Sequence, residues 1–399
     1  MITSATTTMV TLTITKKVTS TISTPPERGQ HYLKSCEVEF KTPIKSSTGS
    51  NFLPDFVSLT DINNDNRPDI IVANYNAANV GIFFNVQDSY FREQITYSTG
   101  HSSGPEYIAV VDVNDDNKPD IIVANRWGNT VGVLLNNGSG QFHTMKHYKT
   151  GPRTLPSGVA VADVNSDKKP DIIVTNQFLN TIGVFLNIGD GQFSFYKIYQ
   201  VPHDFAVMCP QVVDVNDDTH PDIIVANSRA ASIGIFYNSG DGTFTDWTTF
   251  STGFGSQPHS VSVIDVNGDN KPDLIVGNTG TSNVGVLLNA GDGKFLNQTT
   301  YPTGLNSQPR SVFVADINCD NKPDIIVANS ITIVANSNEG NIGIFLNFGN
   351  GTFQPQKPYP TGLSTNPWSI SVGDVNDDNK PDIVFSDTAQ HNIGIFIRS

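Results

Sequence analysis

A fourteen-residue segment recurs seven times, and no other feature constrains the fold as strongly. It reads DINNDNRPDIIVAN from Asp61, DVNDDNKPDIIVAN from Asp112, DVNSDKKPDIIVTN from Asp163 and DVNDDTHPDIIVAN from Asp214. It continues as DVNGDNKPDLIVGN from Asp265, DINCDNKPDIIVAN from Asp316 and DVNDDNKPDIVFSD from Asp374. Successive starts lie 51 residues apart except the last, which lies 58 away, where IIVANSITIVANSNEG duplicates its own IVANS. A fixed period of this length means repeated supersecondary units that bury their apolar faces against one another.

Each unit reads as four short strands. An alternating run such as SVFVAD leads into the first Asp. Asp-Ile-Ile-Val-Ala-Asn follows, a continuous apolar run that suits a strand covered on both faces. The third strand carries a Gly at 81, 132, 183, 234, 285, 343 and 394, which suggests close approach by another backbone. A Gly-Asp-Gly-like turn and a Phe then open the fourth. No segment has the period of a helix. Seven such units predict an all-β chain, a seven-bladed β-propeller of four-stranded blades. The last unit stops after its third strand, and a spare fourth strand lies at the N-terminus. Phe40, Gly49 and Asp61 repeat the spacing of Phe91, Gly100 and Asp112. Roughly residues 36–45 should therefore pair with Asn392–Ile397 and close the ring. An open solenoid of the same units would leave both edges bare.

The expected domains are a Ser/Thr-rich tail or stalk over 1–30 and the propeller over 31–399. The tail shows no signal peptide, because Thr and Ser interrupt every apolar run. Its Ser/Thr/Pro composition suits an O-glycosylated stalk. Three sequons, at Asn137, Asn297 and Asn350, hint at secretion, so an extracellular placement is expected. No apolar run reaches the ~18–20 residues of a membrane helix. A formal net charge of −14 opposes nucleic-acid binding. Three cysteines form no disulfide framework.

Counted from its first Asp, each repeat places oxygen-bearing side chains at positions one, three, five and nine, and position seven offers its carbonyl. The first copy supplies Asp61, Asn63, Asp65, Arg67 and Asp69. The second supplies Asp112, Asn114, Asp116, Lys118 and Asp120, and the third Asp163, Asn165, Asp167, Lys169 and Asp171. The fourth supplies Asp214, Asn216, Asp218, His220 and Asp222, and the fifth Asp265, Asn267, Asp269, Lys271 and Asp273. The sixth supplies Asp316, Asn318, Asp320, Lys322 and Asp324, and the seventh Asp374, Asn376, Asp378, Lys380 and Asp382. Alternating oxygens in a tight loop suit Ca²⁺, a hard cation that takes 6–8 of them. Position twelve is Val72 in the first copy and a strand follows, so this is no EF-hand. Up to seven Ca²⁺ are expected, which would offset the charge of −14. The alternative is that Asp and Asn cap turns without metal. Position six calls for a left-handed residue. Lys168 and Thr219 suit that less well than the Asn of the other copies, so the third and fourth loops should be the weakest.

The unit D-x-N-x-D-x-x-P-D-I-I-V-A-N, followed by G-I-F-L-N-x-G-D-G-T-F, resembles the FG-GAP/VCBS repeat of integrin α-chain propellers and some fungal lectins. The resemblance covers about residues 36–399. It implies calcium in the loop between strands one and two, and a ligand on the opposite face.

That opposite face is built by loops that vary. Six residues before each first Asp stand Asp55, Glu106, Ser157, Met208, His259, Arg310 and Trp368. Just after the second strand stand Tyr75, Trp127, Phe178 and Arg229. Invariant strands with divergent loops fit a scaffolded binding surface. Asp55, Glu106, His259, Arg310, Trp368 and Trp127 are the ligand candidates. The expected function is a calcium-binding extracellular adhesion module, a monomer that binds a protein or glycan partner. The alternative is a lectin. A propeller-type polysaccharide lyase is disfavoured, because the eight His do not all recur at one repeat position and no catalytic motif is present.

Overall fold

A computed structural model describes residues 38–87, 89–202, 206–331 and 339–399. The tail, its boundary at residue 31 and Cys36 lie outside them. The described residues form seven antiparallel four-stranded sheets arranged in a ring, a seven-bladed β-propeller. The first strand of each blade is innermost. In blade 1 the strands are Pro54–Thr60, Asp69–Asn74, Asn79–Phe83 and Ile95–Ser98.

The second strand is buried along its whole length in every blade that the structure describes side chain by side chain. Its alternate residues feed two different cores. Ile70 and Val72 pack against blade 7 through Val384, Ile393 and Ile395, while Ile71 and Ala73 pack against blade 2 through Ile121 and Val123. This is why the run is continuously apolar and not alternating. Seven such inter-blade cores circle the channel. Each fully buried Ile or Val in them contributes about 1.5–3 kcal/mol.

Two expectations about the strands are corrected. The third-strand glycines are approached by side chains, not by another backbone. A Cβ at Gly81, Gly234 or Gly394 would overlap Gln94, Trp247 or Phe385 respectively, side chains that lie across the strand where only hydrogen leaves room. The fourth strand does not always start at its Phe. In blades 1, 2 and 5 that Phe belongs to a separate short hairpin, such as Asn85–Gln87 with Tyr90–Phe91, and the blade's own fourth strand begins four residues later.

The N-terminal strand closes the ring. Ile44–Ser47 pairs antiparallel with Asn392–Ile395, Phe40 bridges Arg398, and Lys41 N–H donates to Ile397 O at 3.1 Å. The pairing segment therefore reaches a little further along the chain than expected. Val38 is buried beneath it, and Phe40 packs on Tyr359 and Phe396 with ring centroids 5.0 and 5.7 Å apart. Lys45 Nζ lies 3.8 Å from the buried carboxylate of Asp387, which occupies the place of an Asn in the other six blades.

Deleting residues 1–30 should leave the melting temperature unchanged, whereas deleting 1–48 should remove the closing strand, bare the edge of blade 7 and cause aggregation. Identical melting and light-scattering behaviour of the two truncations would contradict this closure.

Candidate binding face and metal loops

The two ends of the propeller are chemically unlike. At one end lie the seven loops between first and second strands. Position one accepts backbone N–H groups from positions five and six: Asp61 Oδ1 from Asp65 at 2.9 Å and Oδ2 from Asn66 at 2.7 Å. Asn63 Oδ1 accepts from Asp65 at 2.9 Å, and Asp65 Oδ1 from Arg67 at 3.0 Å. The same pattern recurs in the other loops. The left-handed residue expected at position six is there in all seven, with φ of 68° at Lys168 and 72° at Thr219. Position four is left-handed as well, from Asn64 to Asp377, which the sequence reading missed.

The ninth-position Asp is wholly buried at the start of the second strand. Asp69 Oδ2 accepts from Ile62 N–H at 3.1 Å and Oδ1 from Asn85 N–H at 2.8 Å. Burial pushes its pKa up to about 7, and the Asp65 and Asp61 charges add to the rise. Asp171, Asp222 and Asp324 are likewise pushed to about 7, and Asp120, Asp273 and Asp382 to about 6. The position-seven side chains lie on the position-five carboxylates in several loops: Arg67 on Asp65 at 2.6 Å, Lys118 on Asp116 at 3.2 Å. Among the described residues no three Asp, Glu, His or Cys side chains converge as a metal cluster. The donors nevertheless fit a hard cation. All are oxygens, and three carboxylates crowd one short loop at a cost that a cation would reverse.

The opposite end is built by β-bulges. In blade 1, Pro54 pairs with Asn74 and Phe56 with Ala73, so Asp55 has no partner on the neighbouring strand. The same shift leaves Glu106, Ser157, His259 and Arg310 unpaired, and Trp368 together with Ser369. In blade 4 it falls on Cys209 and Pro210, and Met208 pairs normally. A bulge re-aims the extra side chain out of the ladder. Here five blades re-aim theirs into one channel mouth.

The expected ligand residues meet there. The Arg310 guanidinium lies 4.5 Å from the Trp368 ring centroid. His259 stands edge-on to Trp368 at 5.7 Å, and its Nδ1–H donates to Arg310 O at 2.9 Å. Across the seam, Asp55 is held well above the usual carboxylate range by burial and the Glu106 charge, against the pull of Arg126 and Arg310. Arg126 grips Glu106 with bonds of 2.7 and 3.1 Å and reaches Gln177 Oε1 at 2.6 Å. Arg126 was not among the candidates. It sits one 51-residue period after Tyr75, and that offset identifies it. Trp127 stands outside the mouth on the rim, 56% exposed, with Arg126 5.8 Å from its ring. Ser157 turns aside to bond Val207 O. A separate cleft of about 540 Å³ opens at the end of the Asp-rich loops between blades 1 and 2, lined by Asn63, Arg67, Phe84, Tyr97 and Phe142 among others.

FG-GAP-like repeats match at 61–123, 112–174, 163–225, 214–276, 265–327 and 331–385, and the chain belongs to that family. No curated protein matches it. Among solved structures, virginiamycin B lyase from Staphylococcus aureus is 16% identical with a TM-score of 0.61, covering 90% of this chain and 99% of that one. BBS1N, in complex with ARL6DN, is 11% identical with a TM-score of 0.59, covering 90% and 97%. An Agrocybe aegerita lectin described as recognising non-reducing terminal N-acetylglucosamine is 20% identical with a TM-score of 0.54, covering 84% and 86%. At these identities the likeness is one of fold.

His259 gives this end a pH signature. Burial, and secondarily the Arg310 charge, lower its pKa to about 4. A free histidine titrates near ~6.5. Between these values the unfolded chain takes up a proton that the native ring refuses, so this contribution is full above pH ~6.5 and is lost as pH falls toward ~4. His259→Gln should flatten that stretch of the stability profile. Equal slopes for parent and variant in urea titrations would show that the ring plays no part.

Proposed function

We propose that this chain is a calcium-binding, extracellular recognition module whose partner docks at the bulge-built mouth opposite the metal loops. The convergence of bulge residues from separate blades carries the reading. Five bulges on an otherwise regular scaffold hold chemically different side chains at one rim, which is how a rigid fold presents a variable surface. Arg310 is preoriented by Trp368 for a carboxylate, and Asp55 offers an acceptor across the seam. We read the molecule as a monomer and a binder, not an enzyme: His259 donates to a main-chain carbonyl, Glu106 is gripped by Arg126, and neither is left poised for proton transfer. The loop carboxylates and Asn63-type amides would hold Ca²⁺, which would neutralise each loop and fix its turn.

A lectin is the second reading. The fungal neighbour recognises N-acetylglucosamine, and the cleft between blades 1 and 2 combines aromatic rings with Asn63 and Arg67. Tyr97→Ala tests it. Loss of sugar binding in that variant alone would favour the cleft over the mouth.

Chelation tests the metal. Ca²⁺ bound to the native loops stabilises by about 2.7 kcal/mol per site at 100 times Kd. EGTA should therefore lower the melting temperature of metal-loaded protein by roughly ten degrees or more. An unchanged melting curve would dismiss calcium.

With a ligand found by glycan array or pull-down, Arg310→Ala and Trp368→Ala should each weaken binding by ~1–3 kcal/mol at constant melting temperature. If both bind like the parent while Asp241→Ala at the metal end does not, the face has been misassigned.

A further inference from the structure

The loops that enter the first strands share a form, Thr-Gly, four intervening residues and then Pro, in six blades. Each is locked. Thr252 Oγ1 meets Ser256 Oγ at 2.7 Å, Thr303 meets Ser307 at 2.6 Å, and Thr361 meets Thr365 at 2.6 Å. The Gly is left-handed, with φ of 90° at Gly253, 107° at Gly304 and 110° at Gly362, so the residue after it is thrust outward at the tip. Five residues beyond each tip stands the bulge residue of the same blade.

The tips divide the rim into two halves. Over blades 1, 2 and 3 they are Ser50, His101 and Pro152, paired in sequence with the bulge residues Asp55, Glu106 and Ser157. Over blades 5, 6 and 7 they are Phe254, Leu305 and Leu363, paired with His259, Arg310 and Trp368. These three are the most exposed large apolar side chains described: 104%, 94% and 75%. Scattered apolar residues on a surface mean little. Three in succession, on identically locked loops beside the aromatic and cationic half of the mouth, form one arc.

Resting on the reading of the mouth as the binding site, we infer that its occupant is a protein, one that receives Phe254, Leu305 and Leu363 in apolar pockets and offers a carboxylate to Arg310. Charge and shape select this class. Two of the three tips are leucines, which have no flat face for a sugar ring to stack on but fill apolar pockets in protein interfaces. The heptads TGFGSQP, TGLNSQP and TGLSTNP contain no cation to draw an anionic bilayer. Arg310 does have capacity for an acid. Its Nη2 donates to Gln308 Oε1 at 2.9 Å, which uses one of the five N–H donors of the guanidinium fork and leaves others for a carboxylate.

A displayed random-peptide library selected on the full chain tests this. Enriched peptides should combine apolar residues with Asp or Glu. Leu305→Ser and Arg310→Gln should each weaken them by about tenfold or more, while Ser50→Ala leaves them unaffected. The substituted side chains are exposed or line the mouth, and melting curves verify that each variant is folded. A selection without binders, or binders indifferent to Leu305→Ser and Phe254→Ser, overturns the proposal. So does pelleting with phosphatidylcholine–phosphatidylserine vesicles, or dimerisation in sedimentation, that the tip variants abolish. Binding on a glycan array that Arg310→Gln abolishes and the tip variants do not would overturn the protein partner while sparing the mouth. Peptide binding that needs the tips but ignores Arg310→Gln and Trp368→Ala would instead sink the mouth reading itself.

Discussion

One buried aspartate and one asparagine pin each blade to the next, and the ring depends on them. The Asp that opens the second strand accepts N–H groups on both carboxylate oxygens, one from its own loop and one from the residue that ends the third strand. That residue is an Asn in six blades. Its side-chain amide donates to the prolyl carbonyl beside the Asp and to a loop carbonyl of the preceding blade: Asn136 to Ile62 O at 2.8 Å, Asn187 to Val113 O at 2.8 Å. Asn85 makes the same bond across the seam to Val375 O at 2.9 Å, so the chain of staples runs past the junction of N- and C-terminal strands. Blade 7 replaces the Asn with Arg398, which reaches Asn318 O at 3.2 Å. A buried acceptor left without its donor costs about 1–3 kcal/mol, which explains why this pair is invariant among the six repeats while loop tips are not.

The staple also separates the two ends of the molecule. It fixes the Asp-rich loops to the strand ends and leaves the far ends of the first strands free to bulge. Three or four Asp in each of seven loops, 24 of the 38 acids, gather at the stapled end. At the mouth, two acids and two arginines face one another. Most of the acidic side chains thus lie at one face, away from a partner docked at the other.

The sequence made the repeat, the blade count, the continuous burial of Asp-Ile-Ile-Val-Ala-Asn and the closing strand legible, because all four follow from period and alternation. It also located five mouth residues by a shared offset. It could not show why that offset matters. A bulge is a mismatch between two strands, and neither strand records it alone. Arg126 escaped for the same reason: its role is set by Glu106, twenty residues away on a paired strand. The third-strand glycines were legible as crowded positions, but what crowds them differs from blade to blade: Gln94, Met145, Trp247 and Phe385 share no residue type. The left-handed fourth position was hidden because Asn, Asp, Ser, Gly and Cys all occupy it.

Those left-handed positions bear on what the loops are for. Two per loop, fourteen in the ring, lie in a region that costs a non-glycine residue of order 1 kcal/mol or more. Thr219, being β-branched, is among the worst placed. The N–H bonds to Asp61-type carboxylates offset part of this strain, but they do so with acidic acceptors crowded against a buried Asp. Simple turn capping would be served as well by fewer charges, since Ser or Asn accepts the same bonds. A loop that keeps three carboxylates in all seven copies, at the expense of both backbone strain and mutual repulsion, is better suited to a turn fixed by a cation than to a turn held by hydrogen bonds alone.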